Sequence, residues 1–301
     1  MEWAINERGV KGRSIQPRLG MIATVMKHHP SYASHDFSWF KPLIDSIPIE
    51  DDSERKQRKA KKYVEYDVLE TIPGEIRSAR EAYKKKKKKN VKRVARMVME
   101  ELMIQWLLVL PWRQRNLREC RVSGSSPNLF KGKIPALTEL DKPSWVVDEE
   151  ARNPNAEFWQ IRFSSKETKT GIAVNVLLPR QLISPLELYL TEYRPHLLAG
   201  RNTETLFLNE NGKPMYSSLV GKAIGYWTSQ YAGVRTTPHL FRDAVAFKWL
   251  KEHPKDYLTL SKMLWHKNVQ TTIMIYGSRF NESSGVCAME AWLDQREANT
   301  K

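Results

Sequence analysis

The chain has 301 residues, a formal net charge of +15 and a pI near 9.7. This length allows one large domain or a small domain joined to a main one, and the charge favours a polyanionic partner, nucleic acid more often than an anionic membrane surface. The uncharged and strongly apolar stretch 102–112 is too short to span a bilayer and contains Gln105 and Pro111, so it predicts a buried helix.

Several common site signatures are missing from the sequence. It contains no Gly-rich phosphate loop, paired-Cys metal pattern or His-Glu-x-x-His motif, so nucleotide hydrolysis and zinc catalysis lose their usual support. The histidines His28, His29 and His35 lack a fourth partner at metal-ligand spacing, and we interpret them as ordinary polar surface. No basic-then-apolar leader opens the chain, and its two cysteines are Cys120 and Cys287. We therefore expect a reducing, cytoplasmic setting.

The amino-terminal part predicts a small helical module, with one helix around 21–28. From 51 to 62 the sequence is densely charged and has no large apolar residue, which is typical of solvated linkers. We therefore divide the chain into four segments: a helical module (1–55), a charged linker (56–62), a main domain (63–285) and a carboxy-terminal tail (286–301). The tail is amphipathic and could dock on its own core or on a neighbouring protomer.

A run of lysines at 84–89 precedes the main apolar segment. It indicates either a non-specific phosphate contact or simply a solvated loop or helix start. Apolar residues then recur at helical spacing from Val91 to Leu108, which predicts a long core helix that ends near Pro111.

A β-hairpin is predicted in the middle of the chain, because 159–163 and 172–178 are rich in β-branched and aromatic residues and flank the polar stretch 164–171. The rest of the second half is predicted to be helical, at 186–193, 219–231, 238–250, 257–265 and 268–276. The fold class expected from these elements is mainly α with a small antiparallel β-sheet (α+β).

One of these helices opens with a pattern that suits an anion. Thr237 is predicted as its N-cap and Pro238 as its first residue, and His239 and Arg242 then share one face of the first turn. Free N–H groups at a helix start and a planar guanidinium both bind phosphate oxygens. On these residues alone, an ordinary capped helix in which Arg242 pairs with Asp243 or another acid is the better reading.

Further residues strengthen the pattern. After the helix that begins at Pro238, the chain contains the sequence Leu264-Trp265-His266. Tyr276 comes ten residues after His266, in a segment that contains Thr271-Thr272. The order His-x-x-Arg, Leu-x-His and Tyr resembles the carboxy-terminal catalytic block of the tyrosine recombinase (phage integrase) family. Two departures are a His266 to Tyr276 spacing one residue longer than is common, and a tryptophan at 265 where glycine is usual.

The same resemblance extends upstream to two more positions. The first-arginine motif, Arg-x-x-Glu-Leu, resembles the sequence from Arg113 to Leu117, with Asn116 in place of the acid. Arg113 is preferred over Arg115 and Arg118 because it alone places an apolar residue at the motif's last position. The family also has a lysine in a hairpin turn, which resembles the sequence Thr168-Lys169-Thr170-Gly171. Lys169 is preferred over Lys166 for this position. The resemblance covers roughly 62–280.

The resemblance implies a tyrosine-recombinase catalytic fold and a site-specific recombinase that cleaves and rejoins DNA through a 3′-phosphotyrosyl intermediate, without metal, ATP or another cofactor. In this interpretation Arg113 and Arg242 stabilise the charged transition state, Lys169 protonates the leaving 5′ oxygen, and Tyr276 is the nucleophile. The two histidines hydrogen-bond the phosphate or assist proton transfer. Residues assigned as non-catalytic DNA contacts are Lys84, Lys85, Lys86, Arg115 and Lys166.

The resemblance also implies how such a protein works in the cell. Double-stranded DNA is the expected partner, with a homotetramer on paired sites, accessory DNA-bending proteins and no membrane, in a prokaryotic, nucleoid-associated setting. The module 1–55 would be an abbreviated core-binding domain, or the chain a fragment. Two alternatives remain open: a type IB topoisomerase that relaxes DNA through one nick, and an inactive recombinase-derived DNA-binding regulator.

Overall fold

The computed structural model describes residues 7–8, 10–49, 52–88, 90–134, 142–277 and 289. The chain divides into two units, 1–62 and 63–301. No helix in these described ranges is long and apolar enough to cross a membrane. The tail predicted at 286–301 lies outside the described residues except for Met289.

The first unit is a small helical module. Its helices are α1 (Gly12–His28), α2 (Phe40–Asp45) and α3 (Asp52–Ala60). The helix predicted at 21–28 is therefore longer, because it begins at Gly12. Gln16 Nε2 joins α1 to α2 by donating to the Ile44 and Ile47 carbonyls at 3.0 and 3.3 Å. Much of the stretch predicted as a charged linker is helical, since α3 continues to Ala60.

The second unit holds the large core. Its helices are α4 (Tyr66–Lys84), α5 (Val91–Val109), α6 (Gln114–Glu119), α7 (Ser144–Arg152), α8 (Arg180–Leu188), α9 (Arg194–Leu198), α10 (Ser217–Ala232), α11 (Pro238–Glu252), α12 (Tyr257–Met263) and α13 (Val269–Tyr276). A π-helical segment, Tyr189–Tyr193, joins α8 to α9. Helix α5 is the centre of the core, because α4, α8, α9, α10 and α11 all pack against it. The long buried helix predicted before Pro111 is confirmed.

Two buried acids on α5 tie its neighbours in place. Glu101 accepts from Arg77 Nε at 3.0 Å and also pairs with Arg80, both on α4. Glu100 accepts from the indole of Trp227 on α10 at 2.7 Å, and burial raises its pKa above the ordinary value. Because a buried carboxylate is costly unless it is bonded, these contacts fix which faces of α4 and α10 meet α5.

A three-stranded antiparallel sheet completes the unit. Its strands are β1 (Leu129–Gly132), β2 (Phe158–Phe163) and β3 (Val174–Leu177), in the order β1-β2-β3. The predicted hairpin is confirmed as β2 and β3, with Ile161 opposite Val176. Strand β1 was not predicted, because four residues containing one lysine and one glycine give almost no periodic signal. The fold class, mainly α with a small antiparallel sheet, is confirmed.

Candidate functional site

The loop that carries Arg113 is anchored by an aromatic stack. Pro111 follows the end of α5, and the buried Trp112 packs edge-on against Trp106 and Phe163, with ring centroids 5.2 and 5.3 Å apart. Arg113 is next, as the extended residue before α6. Since its neighbour is fixed in the core, the position of the Arg113 backbone is fixed as well.

Trp265, where the family usually has glycine, belongs to the same stack. Its ring lies 5.3 Å from that of Trp112, and its backbone has a φ of 49°. This left-handed conformation is easy for glycine and strained for a bulky side chain. Packing on Trp112 gives the tryptophan a compensating contact, and it connects the turn before His266 to the turn before Arg113.

Arg242 joins these two turns directly. Only 3% of the residue is exposed. One terminal nitrogen, Nη1, donates to the Pro111 carbonyl at 2.7 Å, and Nη2 donates to the Leu264 carbonyl. Burial, followed by repulsion from Arg113, lowers the pKa of Arg242 to about 10, so the guanidinium stays charged at neutral pH. Arg242 is therefore a buried residue bonded to two backbone carbonyls, whereas the alternative placed it at the surface in a pair with Asp243 or another acid.

His266 lies beside both arginines. Its Nδ1 is 2.8 Å from Thr272 Oγ1 on α13, so Nε2 is the ring nitrogen that remains for another ligand. Burial lowers the pKa of His266 to about 4, with further lowering from the charges of Arg242 and Arg113. The imidazole is therefore neutral at physiological pH and can accept or donate one hydrogen bond without adding charge to the site.

This shift predicts a pH effect on stability. The ordinary pKa of histidine is about 6.5, and that of His266 in the folded protein is about 4. Between these two pH values the unfolded chain binds a proton at His266 that the folded protein does not. The free energy of unfolding should therefore fall as pH falls through this window. Thermal unfolding at pH 7 and pH 5 should show a smaller fall for His266→Asn than for wild type.

A matched control for this effect is His196→Asn, which removes an exposed histidine on α9. We expect this variant to keep the pH dependence of the wild type. An equal loss of pH dependence in both variants, or none in His266→Asn, would contradict the assignment.

Tyr276 is the last residue of α13 and is nearly inaccessible, with 2% exposed. Its ring packs edge-on against Phe247 of α11 at 5.6 Å. Its hydroxyl donates to Asp243 Oδ1 at 3.1 Å. Burial, and then the charge of Asp243, raise the pKa of Tyr276 above its ordinary value, so the phenol is protonated at neutral pH. The longer spacing after His266 does not keep this tyrosine from the arginines, since Arg242 and Arg113 both interact with it electrostatically.

His239 is placed differently from these four residues. It is exposed on the first turn of α11, which does begin at Pro238 with Thr237 as N-cap. The Thr237 side chain makes no capping hydrogen bond. His239 thus lies at the solvent-facing start of the helix whose next turn carries the buried Arg242.

Lys169 is exposed in the turn between β2 and β3. The turn before it is held by Glu167, which accepts from the Ser164 backbone N–H at 2.8 Å and from Arg121 at 2.7 Å. Asn116 of α6 is buried and donates to the Glu167 carbonyl at 3.3 Å. The residue that replaces the acid of the arginine motif therefore connects α6 to the hairpin, two residues from Lys169.

The five residues predicted as further DNA contacts lie on three separate elements. Lys84 ends α4, where it pairs with Glu81 at 3.0 Å, and Lys85 and Lys86 follow it as exposed residues. Arg115 on α6 pairs with Glu119 at 2.8 Å. Lys166 is exposed in the helical turn Ser165–Glu167. Lys84 and Arg115 thus have their charges partly neutralised within the protein.

Asp243 is the site residue that sequence reasoning missed. The sequence indicates only an ion pair with the adjacent Arg242, and in the structure the Asp243 carboxylate also accepts the Tyr276 hydroxyl. An acid next to the motif arginine, in an otherwise apolar helix segment, was the available signal. In the ranges that the structure describes, no group of three or more His, Cys, Asp or Glu side chains is arranged to hold a metal ion.

Part of the chain is similar to a family of known proteins. Residues 152–282 match the model of the Phage integrase family. The matching segment contains Lys169, Arg242, His266 and Tyr276, while Arg113 lies before it.

Named relatives and a solved structure point the same way. Over 135 residues the chain is 32% identical to tyrosine recombinase XerD of Staphylococcus aureus strain N315, a match covering 43% of this chain and 43% of that protein. It is 34% identical over 130 residues to XerD of Staphylococcus saprophyticus, with the same coverage of 43% on each side. These matches therefore span less than half the length of the curated relatives.

A solved structure is also similar to this chain. It is the crystal structure of XerH site-specific recombinase bound to palindromic difH substrate, in a post-cleavage complex. The alignment has a TM-score of 0.54 at 16% identity and covers 96% of this chain and 70% of that one.

Proposed function

We propose that this chain is a site-specific DNA recombinase that cleaves and rejoins DNA strands through a covalent bond between Tyr276 and a 3′ phosphate. The observation that carries the proposal is the convergence of two cationic guanidiniums, a neutral imidazole and a tyrosine hydroxyl in one site of the second unit. The XerD relatives are named tyrosine recombinases, and the aligned XerH structure is of a recombinase bound to its DNA substrate.

The chemistry divides among these side chains. Arg113 and Arg242 hold the non-bridging oxygens of the scissile phosphate and stabilise the added charge of the transition state. His266, neutral and fixed through Nδ1, offers Nε2 to the same phosphate. The Tyr276 oxygen attacks phosphorus and loses its proton, while the bond from phosphorus to the 5′ oxygen breaks. Lys169 donates the proton that the 5′ oxygen requires.

The hairpin suits the role given to Lys169. The lysine is exposed, so the hairpin must bring it to the phosphate when DNA is bound. The hydrogen bond from Asn116 to the Glu167 carbonyl joins the hairpin to the helix that follows Arg113. His239, exposed at the start of α11, would contact the phosphate from the solvent side, where helix N–H groups also favour an anion.

The proposal extends to the assembly. Rejoining to a second DNA requires two sites held together, so we propose a homotetramer on paired duplexes, aided by DNA-bending proteins. The basic residues Lys85, Lys86 and Lys166, all exposed, would add sequence-independent phosphate contacts.

The direct test uses nicked duplexes tiled across the DNA that flanks the gene for this protein. Cleavage near the nick releases a short fragment, so the covalent complex accumulates and survives denaturation. We expect an adduct at a defined sequence, followed by strand exchange when two such sites are supplied. Relaxation of supercoiled DNA without exchange would indicate a topoisomerase, and binding without an adduct would indicate an inactive regulator.

Metal removal is expected to leave the reaction unchanged. In the proposed mechanism two arginines supply the positive charge that a metal ion would otherwise provide. Adduct formation measured in excess chelator should match that in buffer with added magnesium. A large loss in chelator, restored by a divalent cation, would contradict this division of roles.

A further inference from the structure

Asp243 is a buried carboxylate in direct contact with the proposed nucleophile. The residue is 1% exposed, and its Oδ1 accepts the Tyr276 hydroxyl at 3.1 Å. It follows Arg242 on α11, and the backbone carbonyls of Pro111 and Leu264 hold that arginine in place. The carboxylate therefore has a fixed position relative to the guanidinium that is proposed to bind phosphate.

One face of α11 holds the whole tyrosine side chain. Asp243 and Phe247 are four residues apart, so they project from the same face of the helix. Phe247 contacts the ring of Tyr276 and Asp243 contacts its hydroxyl. This two-point contact sets both the position of the tyrosine oxygen and the direction in which its proton points.

The attacking oxygen needs a proton acceptor. A phenol has an ordinary pKa of about 10, and burial raises that of Tyr276 further, so attack as a pre-formed phenolate is disfavoured. The cationic Arg113 and Arg242 have no free lone pair with which to accept a proton. His266 makes its hydrogen bond through Nδ1 to Thr272, whereas the Tyr276 hydroxyl already donates to Asp243, so the carboxylate is the acceptor in place.

We propose that Asp243 is the general base of the cleavage step, accepting the proton of Tyr276 as the tyrosine oxygen bonds to phosphorus. This inference rests on the proposed function. The O–H bond of Tyr276 breaks and a carboxyl O–H forms on Asp243. The bond from phosphorus to the 5′ oxygen breaks, and that oxygen takes a proton from Lys169. In the rejoining step the incoming 5′ hydroxyl bonds to phosphorus and gives its proton to Lys169. The bond from phosphorus to the tyrosine oxygen breaks, and Asp243 returns its proton to that oxygen.

The test compares two substrates, a nicked duplex with an ordinary scissile phosphate and one with sulfur in place of the bridging 5′ oxygen. A thiolate leaves without protonation, so the sulfur substrate bypasses the need for a general acid but not for a base. For Asp243→Asn we expect adduct formation to slow by about 100-fold or more on both substrates. For Lys169→Ala we expect a comparable loss on the oxygen substrate only.

Two controls accompany these variants. Asp148→Asn makes the same chemical change at an exposed position on α7 and should leave both rates unchanged. Duplex affinity and thermal unfolding of Asp243→Asn show whether the variant binds DNA and folds. If the asparagine variant is unfolded, Asp243→Ser, with a smaller side chain, is measured in the same way.

The possible outcomes separate the alternatives. A folded Asp243 variant that cleaves as fast as wild type, or faster, would overturn the proposal, and faster cleavage would mean that the carboxylate only restrains the tyrosine. A wild-type rate of adduct formation by Asp243→Asn on the sulfur substrate would also overturn the proposal. Such a result would mean that Asp243 assists the departure of the 5′ oxygen and does not accept the proton of Tyr276. Absence of any adduct with wild type would instead contradict the proposed function.

Discussion

Replacing Tyr276 with phenylalanine is expected to abolish the covalent protein–DNA adduct while DNA binding persists. The change removes the attacking oxygen and leaves the ring, whose contact with Phe247 fixes its place. The buried Asp243 carboxylate loses this donor, which should lower the free energy of unfolding by about 1–3 kcal/mol. Denaturing gels would measure the adduct, and mobility shifts would measure the affinity.

The control for this variant is Tyr226→Phe, which removes the hydroxyl of an exposed tyrosine on α10. It should form the adduct at the wild-type rate. An adduct retained by Tyr276→Phe would show that another group attacks the phosphate, and it would remove the basis of the proposed function.

Replacing Arg242 with alanine is expected to damage both stability and chemistry. The change leaves the Pro111 and Leu264 carbonyls without their donor, which should lower the free energy of unfolding by about 2–4 kcal/mol. For a unit of this size the midpoint of thermal unfolding should fall by roughly 5–15 °C. Loss of the charge should also slow adduct formation by about 100-fold or more, even at temperatures where the variant is folded.

Arg113→Ala provides the matched comparison. Arg113 is only partly buried, so its removal should slow adduct formation to a similar extent with a much smaller loss of stability. Calorimetry and single-turnover cleavage on both variants would measure the difference. Equal stability of the two variants would show that the carbonyl contacts of Arg242 contribute little to folding.

The sequence predicted the elements that have strong periodicity and the site residues that occur in an ordered motif. The core helix α5 and the β2-β3 hairpin were found because their apolar residues repeat at helical and strand spacing. Strand β1 was missed because it is too short for such a pattern. The long helix α4 was also missed: its Pro73 and Gly74 interrupt the apolar spacing, and packing on α5, α10 and α11 stabilises the helix.

The internal contacts of the site could not be predicted from motif spacing. Sequence places Asp243 beside Arg242, and an ion pair between them was the natural interpretation. The carboxylate of Asp243 also accepts a hydrogen bond from a residue 33 positions away, because α13 returns its last residue to α11. Likewise, Trp265 was recognised as a departure from glycine, but its contact with Trp112 depends on two turns that meet only in the folded chain. Such contacts follow from tertiary packing and leave no local pattern.

The carbonyls that hold Arg242 have a consequence for how the site tolerates mutation. Every residue has a backbone carbonyl, so the acceptors at 111 and 264 survive a change of side chain as long as the two turns keep their shape. The position of the Arg242 guanidinium therefore depends on the backbone geometry of these two turns and hardly on which side chains residues 111 and 264 carry. Substitutions can accumulate around this arginine while its place in the site is inherited unchanged.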